Sequence, residues 1–156
     1  MPTPLRDAPF GVDYLQRRLL EEFPLVKHIG IEVESAHDGG VILRAPFEPN
    51  SNFKGTAFGG SLFCVAVLAG WAWVTRDLEA RGLGADALIQ ESTIRYLAPL
   101  QRELRARLRS PPRAEAEKFR KMLGRAGRGR IRLHVDILDG RAHATEFDGI
   151  FAAIAR

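Results

Sequence analysis

The residues best suited to do chemistry crowd into one stretch, Asn52 to Ser61 (NFKGTAFGGS), at the front of a run that carries no charge between Lys54 and Arg76. If that run is a helix, its first turn holds amide N–H groups with no intrahelical acceptor and the positive end of the helix dipole. Gly59 and Gly60 at that point would let a ligand atom approach the main chain without meeting a Cβ. Such an arrangement polarises a carbonyl or steadies an oxyanion. The structural alternative is a tight loop entering a helix, with Asn52 engaged only in turn chemistry.

Further candidates lie on ALIQESTIRYL, Ala87–Leu97, which is rich in β-formers and closed by Pro99. Strict alternation puts Leu88, Gln90, Ser92, Ile94 and Tyr96 on one face. Packing of Ile94 and Tyr96 on the apolar run would turn Gln90 and Ser92 toward the same cavity. Glu91 would point away, paired with Arg95, unless a bulge flipped the faces. Glu91 is retained as a candidate general base. Ser61 reads as a first-turn residue rather than a nucleophile.

Other chemistries find little support. The single cysteine, Cys64, sits within the apolar run, where a thiol is inert packing, and it excludes an internal disulfide. His28, His37, His134 and His143 show no metal-ligand spacing, so no metal is expected. No G-x-S-x-G elbow, phosphate-binding loop or dinucleotide glycine pattern occurs, and no cofactor is expected. Trp71 and Trp73 read as core and interface residues.

The elements that must position these residues follow from periodicity. With 156 residues and 46% hydrophobic content, a single domain spanning residues 1–156 with a sizeable core is expected. The most apolar part of the run, Leu62–Val74, would rise only ~20 Å as a helix against a ~30 Å hydrocarbon core. A helix apolar on every side is then a buried one. No signal-peptide pattern is seen in MPTPLRDAPF, and a cytoplasmic protein is expected.

Val12, Leu15, Leu19 and Phe23 recur at helical spacing, with Asp13 and Gln16 placed as a capping box. Ile29, Ile31 and Val33 alternate as a strand, DGG turns, and Val41–Phe47 returns. The central helix runs from about 59 to 81. After the strand at Ala87–Leu97 come a strand at Glu103–Arg109, a short basic helix in AEAEKFRKMLGRAG, and a hairpin of Arg130–Leu138 with Arg141–Ile154. The order predicts an α+β hotdog fold: a long central helix wrapped by a curved, mostly antiparallel sheet, in at least a dimer.

The stretch NFKGTAFGG resembles the N-x-x-G-T-x-H-G-G pattern of hotdog acyl-CoA thioesterases, with Phe58 in the place of histidine. Together with GSLFCVAVLAGW and RGRIRLHVDILDG…FDGIFAAIA, the chain from about Leu19 onward is similar to the YiiD C-terminal type of thioesterase family. The resemblance implies an acyl-thioester hydrolase in which the Gly59 amide receives the carbonyl, Asn52 orients water or substrate, and Gly60 keeps the turn open. Thr56, Phe58, Ser61, Gln90 and Ser92 would line the substrate. In the resembled enzymes a carboxylate lies about two turns into the helix; Cys64, Val65, Val67 and Leu68 occupy that register here, and the first acid is Asp77.

The net charge of +4 is uneven, concentrated between Arg102 and Arg132. That segment could cradle coenzyme A phosphates or meet an acidic carrier protein; otherwise it is a solvated face partly neutralised by Glu103, Glu115 and Glu117. The expected partners are an acyl-CoA or acyl-carrier-protein thioester and further copies of the chain, as a homodimer or dimer of dimers. Neither nucleic acid nor membrane is expected, for no aromatic platform is interleaved with the charge. The competing functions are a catalytically silent acyl-thioester binding module and a hotdog dehydratase; the latter needs a histidine–acid pair.

Overall fold

A computed structural model describes residues 9–156. Helix α1 (Val12–Glu22) and the short α2 (Leu25–Ile29) precede a hairpin of β1 (Glu32–His37) and β2 (Gly40–Ala45). The central helix α3 (Gly59–Ala80) leads to β3 (Ala85–Tyr96) and β4 (Leu104–Arg109). Then come α4 (Arg113–Ala126), β5 (Arg128–Asp139) and β6 (Ala142–Ala155). The six strands form one sheet in the order β1-β2-β4-β5-β6-β3, every neighbouring pair antiparallel. One long helix held in this sheet is the hotdog arrangement. β1 and β3 are its two edges.

The sheet's inner face can be read from β5 and β6. Ile131, Leu133, Val135 and Ile137 are buried while Arg130, Arg132 and His134 between them are exposed. Phe147 and Phe151 turn inward from β6, and α3 meets them with a small residue: a Cβ at Gly70 would lie 2.1 Å from Phe151 Cζ. At 22 residues α3 spans ~33 Å, enough to cross a bilayer by length and composition alone. The length argument therefore does not decide its environment. Burial does: 61% of its most apolar 18-residue window is packed inside the protein.

Three local expectations are corrected. Ile29 ends helix α2 instead of opening a strand, since Pro24 starts a new turn and Gly30, at φ 79°, closes it. The α1 capping box does not form; Gly11 is the N-cap, with no side-chain cap. Gln16 instead reaches across to the first hairpin, donating to the Ile31 carbonyl (3.1 Å) and accepting from the Val33 amide (2.7 Å). A long amide side chain facing an incoming strand gains two bonds there, against one at the helix terminus.

Strand β3 carries the most consequential correction. Ile89 pairs with Phe151 and Glu91 with Ile150, so Gln90 is an extra residue, a β-bulge. Directly opposed residues share a face. Ala87 and Ile89 are therefore inward before the bulge, and Ser92, Ile94 and Tyr96 after it. Leu88 leaves the face that alternation assigned it, and Gln90 lines a groove with Ala152, Ile154, Arg128 and Arg130 of the outer face. Glu91 stays on the outer face. Its expected partner, Arg95, pairs with Glu146 instead.

Candidate active site at the start of the central helix

The loop ahead of α3 is held by asparagines. Asn50, 2% exposed, donates through Nδ2 to the carbonyls of Ile29 (2.9 Å) and Pro46 (2.7 Å), and its own carbonyl accepts from the Phe58 amide at 2.7 Å. Asn52 Oδ1 accepts from the amides of Lys54 (2.9 Å) and Thr56 (3.2 Å), while its Nδ2 lies 2.9 Å from Thr56 Oγ1. The Ala57 amide donates to the Leu100 carbonyl at 2.7 Å, tying the loop to the segment after β3. The Asn52 carboxamide is thus turn chemistry, but one of its two N–H groups is left over.

The helix start itself is treated differently. Phe58 is the N-cap, in extended backbone, and offers no side-chain acceptor. Leu62 is the first residue whose amide finds an intrahelical carbonyl, that of Phe58 at 3.1 Å. Among the described residues, the amides of Gly59, Gly60 and Ser61 have no hydrogen-bond acceptor. Three parallel N–H groups at the positive end of a 22-residue helix form an anion-receptive cradle. Tyr96 borders it, donating from its hydroxyl to the Gly59 carbonyl at 3.0 Å. The Phe58 ring folds over Gly60, where a Cβ would lie 2.5 Å from Phe58 Cε1.

Two cavities flank this end of α3. One, about 270 Å³, is lined by Thr56, Gly59, Leu62, Tyr96 and Leu100 among others. The second, also about 270 Å³, is almost wholly apolar, walled by Phe23, Cys64, Val67, Trp71, Ile89 and Phe151. Along α3 a half-buried stripe of Gly60, Phe63, Cys64, Val67 and Trp71 joins the helix start to this cleft, ~16 Å of helix. Cys64 lines the cleft, but burial pushes its thiol pKa up, so it is a wall and not a nucleophile.

Of the residues expected at the site, Asn52, Thr56, Phe58, Gly59, Gly60 and Ser61 come together at the helix start. Ser92 lies on the inner face of β3, opposite Gly149. Gln90 does not join them, because of the bulge, and Glu91 lies on the outer face opposite Ile150. Among the described residues, no carboxylate lines either cavity. Asn50 and Tyr96 were not foreseen as site-builders. The signal for Asn50 went only as far as a turn-forming residue just after Pro49, whereas Tyr96 depends on the strand pairing.

The outer face brings together residues with no sequence spacing to announce them. His134 bonds to Asp136 (2.8 Å) and Asp148 (3.0 Å), and His143 Nδ1 lies 3.1 Å from Asp136. Burial lowers the His134 pKa, but its bonds to the two carboxylates outweigh this and the net shift is upward. Asp136, His143 and Glu146 place donor atoms within 4.8 Å of one another, so they could hold a metal ion. Arg95 and Arg107 already stand beside Glu146 and Asp136 as counter-ions.

Comparison with known proteins agrees with this fold. The family described as "Putative thioesterase (yiiD_Cterm)" matches residues 12–155. A protein of unknown function from Chlorobaculum tepidum TLS is 29% identical, with 96% of this chain and 100% of that one aligned at a TM-score of 0.89. A putative thioesterase from Shewanella oneidensis is 24% identical, with coverage of 92% and 96% and a TM-score of 0.82. A probable thioesterase from Pseudomonas aeruginosa, 21% identical, aligns over 100% and 99% at a TM-score of 0.80. From its loop, its central helix and its sheet, the chain belongs to the YiiD C-terminal thioesterase family.

Proposed function

We propose that the protein hydrolyses acyl thioesters, carried by coenzyme A or an acyl-carrier protein, at the start of α3. The observation that carries this reading is the set of three unpartnered amides, Gly59, Gly60 and Ser61, at the head of an apolar cleft. The thioester carbonyl is received by these donors, whose aim at the developing oxyanion costs no reorganisation during the reaction. The leftover Asn52 N–H orients water or substrate, and the acyl chain lies along Cys64, Val67 and Trp71 toward Ile89.

A second copy completes the site in this reading. β3 is a 12-residue edge strand, and its exposed residues include Leu88, Ile89 and Tyr96. A long apolar edge is a template for pairing with another chain. Pairing there would also roof the half-buried stripe of α3. It would extend the same two faces, which leaves Glu91 outside, so the proton acceptor is sought elsewhere on the second copy.

The lining of both cavities, which holds no carboxylate among the described residues, favours a second reading, binding of acyl thioesters without turnover. Thiol release from short, medium and aromatic acyl-CoAs, and from acyl-carrier-protein thioesters, separates the two. Turnover that falls by about 10²-fold in Asn52→Ala, with the variant still folded by circular dichroism, supports hydrolysis at this loop. Binding without thiol release from either carrier overturns it in favour of the silent module.

A further inference from the structure

Lys118, Lys121, Arg125, Arg128, Arg130 and Arg132 are exposed and enter no ion pair among the described residues. Arg113, Arg120, Arg102 and Arg107, by contrast, each have a carboxylate within 4.0 Å. Five of them line two adjoining grooves, and Arg132 follows on the same outer face of β5. One, about 470 Å³, lies between α4 and the outer faces of β5 and β6, with Met122, Ala126, Ala152 and Ile154 as its apolar floor. The other, about 450 Å³, runs along α4 past Lys118, Lys121 and Arg125 and shares Met122 and Ala126 with the first.

We propose that these grooves dock an acidic acyl-carrier protein through one of its amphipathic helices. The proposal rests on the acyl-thioester reading, and it commits the substrate's carrier to a protein. Helix-in-groove recognition needs an apolar floor for the ridge of the incoming helix and opposite charge on the rims. Both are present, and Glu117, the one acid in the groove lining, is already held by Arg113 at 2.9 Å.

Free coenzyme A fits less well. The cations are spread over ~10 Å along α4 and ~13 Å along β5, too wide to converge on one pyrophosphate. Nucleic acid would leave the apolar floor unused, and neither groove contains an aromatic residue for base stacking. A lipid surface calls for apolar side chains that protrude, whereas Met122 and Ile154 are only 39% and 47% exposed at the bottom of a concavity.

The test uses a fluorescein-labelled apo-acyl-carrier protein, which lacks the thiol arm and so reports docking alone. Anisotropy at ~50 mM salt is expected to show saturable binding that weakens as salt rises. The pair Lys121→Glu with Arg125→Glu, and separately Met122→Asp, should each weaken it by about tenfold or more while leaving thiol release from acyl-CoA unchanged. Excess coenzyme A should not compete.

Absence of binding, or binding that the variants leave intact, overturns the proposal. So does preferential binding of phosphatidylglycerol vesicles or duplex DNA that the same variants abolish. Docking without any thiol release would leave this proposal standing and remove the hydrolase reading. Thiol release from acyl-CoA without docking would do the reverse.

Discussion

The two ends of α3 are built in opposite ways. At the C-terminal end Asp77, 9% exposed, is clamped by Nε and Nη2 of Arg120 (2.9 and 3.0 Å) and by Arg81 at 3.3 Å. Nearby, Trp73 Nε1 donates to Ser110 Oγ at 2.9 Å, and that hydroxyl donates on to the Asp38 carbonyl. At the N-terminal end the surrounding loop is equally well bonded through Asn50 and Asn52, yet three helix donors are left open. Buried polar groups in proteins are nearly always partnered. The first amides of any helix lack an intrahelical acceptor, and here the loop supplies none, which is why the proposed reading sets the ligand there.

The largest expected effect comes from breaking the closed end. Asp77→Ala leaves the Arg120 guanidinium half-enclosed without its carboxylate, and should cost about 3 kcal/mol of stability by chemical denaturation. Thiol release per folded molecule should hold, since Asp77 lies about five helical turns from Gly59, where α3 begins. A loss of activity beyond the unfolded fraction would mean the two ends are coupled.

Closing the open end is the sharper experiment. Phe58 already has the extended backbone of an N-cap, so Phe58→Asp supplies the missing acceptor for one of the open amides. Stability should rise by about 1 kcal/mol while thiol release falls, because the new carboxylate occupies the place of the oxyanion. A stabilised variant with undiminished activity would remove these amides from the mechanism.

Tyr96→Phe deletes the hydroxyl bond to the Gly59 carbonyl. A loss of about 0.5–1 kcal/mol is expected, accompanied by a modest fall in turnover as the first turn loosens.

The smallest effect belongs to the outer-face histidines. Because the His134 pKa is raised in the folded state, its contribution is fully present below the unfolded value near 6.5 and is lost as pH rises through the folded value. His134→Gln should flatten that part of a stability–pH profile and leave the acid limb alone. An unchanged profile would assign the slope to other groups.

Much of the fold was legible because hydrophobic period reports burial directly. Leu15 and Leu19, the uniform run of α3, and the alternation of Ile131 to Ile137 each name a buried face without reference to the rest of the chain. The glycines at 59 and 60 announced the helix start. Gln90 could not be placed, since a bulge breaks the alternation between the residues on its two sides and leaves no mark on a strand's composition. The Asp136–His143–Glu146 group was equally hidden. Its members meet through the pairing of β5 with β6, and no local spacing encodes that register.

The sequence by itself determined the order of the main elements and the buried central helix, which follow from local spacing and residue type, and the family, which its motifs resemble. Tertiary structure decided which way β3 faces, that Gln16 ties α1 to β1, that Asn50 and Tyr96 build the loop, and that cations along α4 and β5 gather at the grooves without partners among the described residues. Each of these is a meeting of residues distant in the chain. Only the packed register, which satisfies some polar groups and strands others, sets which residues meet.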